Sequence, residues 1–210
     1  MPFAGHPTLG SAHVVRVLSG AGDQVTLETG AGVIPVSARG DEWTLKANAP
    51  QTRPYARPLE SLAQTLGINA VDVSDTLLWV NTGNEQLVAP LASADAVRRC
   101  HPDAARMAAE KAADDVTKIY VWADLGGGEL LARLFLLKHG ALSEDHGTGS
   151  AAANLGGCYV ARKAPLPVKR VIHQGEPISR PSRLLLDVDA DGGIYVSGQV
   201  IELGVGSVVL

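Results

Sequence analysis

An acidic pair followed by a glycine-containing turn is the segment of this sequence best suited to chemistry. Residues 143–154 read Ser-Glu-Asp-His-Gly-Thr-Gly-Ser-Ala-Ala-Ala-Asn, and apolar and small residues continue to about residue 161. Gly147 and Gly149 allow backbone conformations that side chains would forbid. A helix that begins here directs free backbone N–H groups and the positive end of its dipole at whatever lies in front of it. The segment therefore predicts an anion site, with Asp145 beside it as a candidate proton carrier.

A second turn of the same kind lies at the beginning of the sequence. Residues 5–12 read Gly-His-Pro-Thr-Leu-Gly-Ser-Ala and also lead into an apolar helix. Residues 6–12 match residues 146–151 when a gap of one residue is allowed. Two copies of one helix start suggest two related lobes that face each other across a shared pocket, although turns of small residues before helices also recur by chance.

The rest of the sequence predicts many short strands and few helices. Turns typical of hairpins join the runs at 24–29 and 33–37 and the runs at 76–81 and 85–91. The remaining strands are predicted at 43–47, 118–123, 129–137, 169–174, 183–188, 194–197 and 200–209. The remaining helical regions are predicted at 59–66 and from Ser93 to about residue 113, the latter interrupted at His101-Pro102. The helix at 151–161 is apolar nearly all round, which is typical of a helix inside a wrapped sheet. The residues thus predict an α+β fold with two sheet-wrapped helices.

A proline-rich stretch at residues 48–58 is the predicted boundary between the two lobes. It carries three prolines and little periodicity. We expect an N-terminal lobe at residues 1–50 and a C-terminal lobe at residues 51–210, whose last strand could return to the first lobe.

Composition places the chain among ordinary globular proteins and argues against several classes of partner. Of its 210 residues, 46 % are hydrophobic and 19 % are charged. The net charge of −4, without a basic cluster, argues against nucleic acid as a partner, and no apolar run approaches the length of a bilayer span. Two cysteines, Cys100 and Cys158, provide no disulfide framework and predict a cytoplasmic protein. The neighbouring Cys100 and His101 lack further spaced ligands, so no metal site is expected.

Three segments resemble the hallmark segments of the PhzF family, the phenazine-biosynthesis-type isomerases related to diaminopimelate epimerase. They read Phe-Ala-Gly-His-Pro-Thr-Leu-Gly at 3–10, Glu-Asp-His-Gly-Thr-Gly-Ser-Ala at 144–151 and Gln-Gly-Glu-Pro-Ile-Ser-Arg-Pro-Ser at 174–182. The resemblance implies a diaminopimelate-epimerase-like α+β fold of two lobes, each a mixed sheet rolled around a central helix, with the active site between the helix N-termini. It also implies an isomerase or epimerase that works without a cofactor by moving a proton on a small carboxylate-bearing substrate. We interpret the third segment as structural.

The same resemblance implies roles for residues of the two turns. Asp145 and His6 are the implied acid–base groups. Backbone N–H groups around the two helix starts would hold the substrate carboxylate, and the implied binding residues are Gly5, Thr148, Gly149 and Ser150. The residues alone leave simpler roles open, because Asp145 can stabilise its turn, His6 can bond the turn backbone, and Thr148 or Ser150 can cap the helix.

Two cysteines transfer the proton in the epimerase relatives, and this sequence lacks them at the matching places. The corresponding positions look like Ala4 or Gly5 in the first turn and Gly147 or Thr148 in the second. The resemblance therefore does not extend to a two-thiol mechanism.

Two departures from the family pattern bear on activity. His146 stands where the commoner family turn has proline. Family members usually have further strands before the first segment, and these carry a glutamate regarded as the main proton shuttle, onto which no residue here maps. We therefore expect either an isomerase in which another group replaces that glutamate, or a catalytically impaired short family member that acts as a small-acid-binding or oligomeric interaction protein. An incomplete first lobe would leave its helix partly uncovered, which predicts a homodimer.

Overall fold

A large mixed sheet is the framework of the protein. The computed structural model describes residues 4–110 and 116–206, and within these residues the sheet has twelve strands. The strands are β1 (Gln24–Thr29), β2 (Gly32–Arg39), β3 (Glu42–Lys46), β4 (Gln51–Pro54), β5 (Leu78–Asn81), β6 (Glu85–Pro90), β7 (Val116–Gly126), β8 (Glu129–Lys138), β9 (Ala141–Asp145), β10 (Val168–Gln174), β11 (Ser182–Val188) and β12 (Ile194–Gln199). The helices are α1 (Gly5–Ser19), α2 (Leu59–Leu66), α3 (Ala94–Arg99), α4 (Ala104–Met107) and α5 (Gly149–Ala161).

The strand order joins the two ends of the sequence in one sheet. Neighbouring strands follow the order β1-β2-β3-β12-β11-β10-β8-β7-β6-β5-β4, and β9 pairs with β8 outside this path. The pairs β6–β7 and β8–β10 are parallel, and the other pairs are antiparallel. Because β12 pairs with both β11 and β3, the sheet continues from the C-terminal strands to the N-terminal ones. The division into lobes at residue 50 stays a prediction.

Helix α5 lies at the centre of the fold, as its apolar sequence predicts. Every residue from Gly149 to Cys158 is buried. The helix packs against β11 and β12 on one side and against β4, β5 and β6 on the other. A curved sheet can approach this helix closely because several of its positions are Ala or Gly.

Replacing Gly157 by alanine is expected to lower the free energy of unfolding by about 1–3 kcal/mol, because it overpacks this core. A Cβ atom at Gly157 would lie 2.8 Å from Pro50 Cβ and 2.8 Å from Val80 Cγ1. The measurement is urea unfolding followed by circular dichroism. Gly10 in α1 is the matched control, since a Cβ atom there meets nothing within 4 Å. Gly10→Ala should instead stabilise the protein by about 0.5–1 kcal/mol, and an equal loss in both variants would contradict the packing argument.

Helix α1 is covered on one side only. It packs against β1, β3 and β12, and its buried residues are Gly5, Thr8, Leu9 and Ala12. Val14, Val17 and Leu18 are 51 %, 56 % and 82 % exposed. This agrees with the expectation that the helix of the first lobe is partly uncovered.

Three helices lie on the outer face of the sheet. Helices α2, α3 and α4 contribute to a second apolar cluster with residues of β5, β6, β7 and β8. The first cluster surrounds α5 and includes Leu9 and Ala12 of α1. The site described below lies at the N-terminal end of α5, on the side of the first cluster.

Several sequence predictions of local structure were wrong. The helical region predicted from Ser93 to about residue 113 is interrupted at His101-Pro102 as predicted, but its second part, α4, is short and ends at Met107; residues 111–115 lie outside the described part of the chain. Two short strands were not predicted: β4 lies in the proline-rich stretch, and β9 ends with the acidic pair, directly before the predicted turn. Residues 200–206 form no strand, and residues 207–210 lie outside the described part.

Candidate active site

The N-termini of α1 and α5 meet. A Cβ atom placed on Gly5 would lie 2.6 Å from Gly149 Cα, a separation that real Cβ atoms do not adopt. Glycine at both positions therefore allows the two backbones to touch. The first N–H groups of each helix have no acceptor within their own helix. The two positive helix ends lie side by side, which favours an anion in front of them.

Asp145 is held by the turn between β9 and α5. Its Oδ1 accepts a hydrogen bond from the backbone N–H of His146 at 3.0 Å, and its Oδ2 accepts one from Thr148 Oγ1 at 2.6 Å. Thr148 is the N-cap residue of α5, but its side chain makes no capping bond to the helix. Its hydroxyl binds Asp145 instead, so the predicted capping role of the Thr148 side chain was wrong.

His6 reaches from the first turn to the second. Its Nδ1 lies 3.3 Å from the carbonyl oxygen of Gly147, and its ring centroid lies 6.1 Å from that of His146. His146 Nδ1 in turn lies 3.6 Å from Asp145 Oδ1. The side chains of His6, His146 and Asp145 therefore lie next to one another where the two helices meet.

Two hollows open on either side of this meeting point, and both are lined by Gly5, His6 and Gly149. The Asp145 hollow has a volume of about 90 Å³, and its other lining residues are Ala4, Asn84, Gln86, Lys118, Leu134, Leu136, Asp145, Thr148 and Ser150. The Arg183 hollow has a volume of about 230 Å³, and its polar lining includes His146, Ser182, Arg183, Ser197 and Gln199. Each hollow combines apolar walls with a few polar groups, which is typical of small-molecule sites.

Buried amides fix the helix start behind the Asp145 hollow. Gln86 Nε2 donates to Ser150 Oγ at 3.1 Å, and Asn154 Nδ2 donates to Gln86 Oε1 at 2.8 Å. Asn154 Oδ1 also accepts from the backbone N–H and the hydroxyl of Thr82, at 2.9 and 2.8 Å. The Ser150 hydroxyl is therefore part of a network with β6, not a cap of α5. Its backbone N–H remains in the first helical turn that borders the hollow.

Comparison with known proteins agrees with this arrangement. A sequence model of the PhzC-PhzF family, described as phenazine biosynthesis-like protein, matches residues 1–203. The chain belongs to this family. An uncharacterized isomerase of Pasteurella multocida is 35 % identical over 209 residues, which cover 98 % of this chain and 70 % of that protein. The trans-2,3-dihydro-3-hydroxyanthranilate isomerase of Pseudomonas aeruginosa is 30 % identical over 210 residues, which cover 94 % of this chain and 71 % of the relative.

The fold of this PhzF-family chain is also that of solved family members. The crystal structure of a PhzF-family phenazine biosynthesis protein of Bacillus anthracis superposes with a TM-score of 0.75 at 21 % identity. The match covers 95 % of this chain and 73 % of that one. The predicted fold class, a diaminopimelate-epimerase-like α+β fold, is confirmed.

A buried ion pair anchors the acidic segment of this PhzF-family protein. Arg133 Nε and Nη2 donate to the two carboxylate oxygens of Glu144, at 2.9 and 2.7 Å. Nη1 of the same guanidinium donates to the carbonyl oxygens of Val97, Arg98 and Cys100 at the C-terminal end of α3. Since Glu144 directly precedes Asp145, this pair fixes the position at which the turn between β9 and α5 begins.

The two cysteines lie away from the helix starts. Cys158 is in the second half of α5, Cys100 follows α3, and both are free and buried. Burial raises the pKa of each thiol to about 12. The thiolate is the reactive form of cysteine, so both thiols stay protonated and unreactive near neutral pH.

We expect neither thiol to react with Ellman's reagent at pH 8 in the folded protein, because the raised pKa values and burial suppress the thiolate. Both should react in guanidinium chloride, where the pKa returns to about 8.5. The measurement is the absorbance released per chain with and without denaturant. Rapid reaction of a thiol in the native protein would contradict this placement.

The described residues hold neither a group of metal ligands nor a membrane-spanning helix. Within residues 4–110 and 116–206, no three His, Cys, Asp or Glu side chains are grouped so that they could hold a metal ion. In the same residues, no helix combines the length and the apolar character needed to cross a membrane.

The structure brings together the residues singled out in the sequence. Asp145, His6, Gly5, Thr148, Gly149 and Ser150 all border the Asp145 hollow. Their chemical roles stay predictions. Sequence reasoning missed Gln86, Lys118 and Gln174 as site residues, and because Lys118 begins the strand predicted at 118–123, nothing in the sequence indicated its burial.

Proposed function

We propose that this PhzF-family protein is an isomerase or epimerase that moves a proton on a small carboxylate-bearing substrate without a cofactor. The observation that carries the proposal is the contact of the two helix N-termini at Gly5 and Gly149, with Asp145 lining the hollow beside them. The substrate carboxylate would lie against the free N–H groups of both helices. Lys118, which is buried in the wall of the same hollow, adds a positive charge that favours this anion.

The reaction would be a proton transfer between two carbon atoms or between two faces of one carbon. Removal of a proton from a carbon conjugated with the carboxylate leaves negative charge that spreads onto the carboxylate oxygens. The fixed helix N–H groups stabilise that charge as it develops. Asp145 takes and returns the proton, and His6, which also borders the hollow, exchanges it with solvent or orients the substrate. One C–H bond breaks and one forms, so the step needs no oxidant or reductant.

The hollows and one relative support a proposal for the substrate class. A substrate that extends from the Asp145 hollow past His6 into the Arg183 hollow would be a single small ring or a short chain, and Arg183 would offer a cation for a second polar group. The relative from Pseudomonas aeruginosa is named for trans-2,3-dihydro-3-hydroxyanthranilate, a cyclic amino acid with a carboxylate. We propose a compound of this chemical class as the substrate here.

The test is conversion of trans-2,3-dihydro-3-hydroxyanthranilate, followed by ultraviolet absorbance and by proton NMR in D₂O, with chelator-treated protein. Conversion at an unchanged rate after chelation is the expected result. Gly5→Ala should abolish it by separating the helix starts, whereas Gly10→Ala on the same helix meets open space and should retain it. Saturable binding of 3-hydroxyanthranilate without any conversion would favour the small-acid-binding alternative, and absence of both binding and conversion would refute the proposal.

We also propose a homodimer in which two copies of α1 cover each other. Val14, Val17 and Leu18 are spaced by three and four residues, so they form one exposed apolar stripe on the helix. A stripe of this kind can pair with itself across a two-fold axis. Sedimentation equilibrium should give twice the chain mass of 21.9 kDa. Leu18→Lys should give the single-chain mass, and Val71→Lys, at an exposed position away from the stripe, should not change the dimer.

The cytoplasmic location also remains a proposal. Cys100 and Cys158 are both free in the structure, which fits a reducing compartment. Fractionation of the source cells would test the location directly.

A further inference from the structure

Gln174, at the end of β10, is tied to the turn that carries Asp145. The residue is only 1 % exposed. Its Nε2 donates to the carbonyl oxygen of Asp145 and to Thr148 Oγ1, both at 2.9 Å. Its Oε1 accepts from the backbone N–H of Thr148 at 3.2 Å. One buried amide therefore spans the turn by three hydrogen bonds that cross 26 to 29 residues of sequence.

The orientation of this amide is fixed by its partners. A backbone N–H can only donate, so the atom of Gln174 that faces Thr148 N must be the oxygen. The carbonyl oxygen of Asp145 can only accept, so the atom that faces it must be the nitrogen. The two constraints agree, and the NH₂ group therefore donates to the Thr148 hydroxyl.

This orientation decides the direction of the next hydrogen bond. A hydroxyl has one proton to donate, and the Thr148 oxygen already accepts from Gln174. Its proton is therefore free to point at Asp145 Oδ2, 2.6 Å away. The series of hydrogen bonds from Gln174 through Thr148 therefore places a donor at one oxygen of the Asp145 carboxylate. The backbone N–H of His146 donates to the other oxygen. Hydrogen bonds in such a series strengthen one another.

We propose that Gln174 is a positioning residue for Asp145 and acts through the Thr148 hydroxyl. The proposal rests on the proposed function in so far as Asp145 is the proton carrier. It goes beyond the structural interpretation of residues 174–182. If Gln174 only held the turn in place (a brace), its bonds to the backbone of Asp145 and Thr148 would be enough, and its bond to the Thr148 hydroxyl would not be needed. We call the series of hydrogen bonds from Gln174 Nε2 through the Thr148 hydroxyl to Asp145 Oδ2 the relay. It sets the rotamer of the Asp145 carboxylate and determines which of its lone pairs face the hollow.

Three variants separate a relay from a brace. Thr148→Val keeps the shape of the side chain and removes the hydroxyl, and Thr148→Ser restores the hydroxyl. Gln174→Glu keeps the shape but replaces the NH₂ donor by an acceptor, which draws the Thr148 proton away from Asp145. Gln51→Glu makes the same chemical change at an exposed position of the edge strand β4 and is the matched control.

The first readout does not depend on activity. It is the side-chain carboxyl ¹³C resonance of Asp145 at pH 8, assigned by its loss in Asp145→Asn. We expect this resonance to move in Thr148→Val and in Gln174→Glu, to return towards the wild-type position in Thr148→Ser, and to stay in place in Gln51→Glu. If it stays in place in Thr148→Val and Gln174→Glu, the relay does not exist, whatever the protein catalyses.

The second readout is kinetic and uses the conversion assay described above. Thr148→Val and Gln174→Glu should each lower kcat by about 10–100-fold with KM changed less than threefold, and Thr148→Ser should recover most of the loss. The double variant should be no slower than the slower single variant, because both changes interrupt one series of bonds. Additive losses, or equal losses in Thr148→Ser and Thr148→Val, would overturn the relay. If the wild-type protein converts nothing, the proposed function fails, and the carboxyl resonance still decides the positioning role.

Discussion

Replacing Arg133 by methionine is expected to lower the free energy of unfolding by about 3–5 kcal/mol, because it leaves a buried carboxylate without its partner. The side chains of Arg133 and Glu144 are 9 % and 10 % exposed and make two parallel hydrogen bonds. The same guanidinium also satisfies three carbonyl oxygens at the end of α3. Urea unfolding measures the change, which should appear as a lower midpoint with an unchanged slope.

A matched ion pair provides the control. Lys169 and Asp187 lie on neighbouring antiparallel strands and approach within 2.9 Å, but their side chains are 79 % and 41 % exposed. Lys169→Met should leave the urea midpoint almost unchanged, because exposed ion pairs contribute little to stability. In the double variant Arg133→Met/Glu144→Leu no buried charge remains unpaired, so part of the loss should be recovered. Equal midpoints for Arg133→Met and Lys169→Met would show that burial of the pair has no energetic consequence.

The same arginine illustrates which parts of the fold can be predicted from the sequence. A helical pattern extends from Ser93 almost to residue 113, and local preferences alone predict one helix with a break at a proline. The structure ends α3 at Arg99, where its last carbonyls are bound by Arg133, a residue more than thirty positions away. The interruption near Pro102 was predicted from local sequence, but a partner at that distance leaves no local signal, so the binding of these carbonyls was not. Strand pairing has the same character, since nothing near β12 indicates that it lies beside β3.

Helix starts and hairpins were predictable because their causes are local. Both central helices begin at a glycine-containing turn of similar sequence, and the hairpin between β1 and β2 follows from the glycines that join them. The approach of the two helix starts was inferred from the duplication of that turn. The contact of Gly5 with Gly149 agrees with this inference.

The hydrogen-bond partners of the side chains that support the site could not be predicted from the sequence. Thr148 and Ser150 are good capping residues, so a local reading gives each a bond to its own helix. In the structure their hydroxyls bind Asp145 and Gln86, because those partners compete for the same groups. Gln174 and Gln86 come from distant strands, and amides of this kind carry no pattern that distinguishes them from surface residues.

Replacing Asp145 by asparagine is expected to lower kcat by about 10²–10⁴-fold, which is the usual contribution of a positioned general acid or base. Asparagine retains the size of the side chain, and its oxygen can still accept the hydrogen bond from His146 N while its NH₂ group faces Thr148 Oγ1 as a donor, so the turn should keep its shape. It cannot take up a proton from carbon, which removes the transition-state interaction and leaves the binding of the carboxylate at the helix starts. Steady-state kinetics of trans-2,3-dihydro-3-hydroxyanthranilate conversion should therefore show the loss in kcat and little change in KM.

Asp189 provides the matched control for this substitution. It directly follows strand β11 and accepts backbone N–H bonds within its own turn, from Asp191 and Gly193. That turn packs near Val160, at the opposite end of α5 from Asp145. The thirteen residues of α5 place the two ends roughly 20 Å apart. Asp189→Asn should retain kcat, so a loss confined to Asp145→Asn would come from the helix starts. A change in KM alone in Asp145→Asn would assign Asp145 to binding, and His6 would then be left as the group that carries the proton.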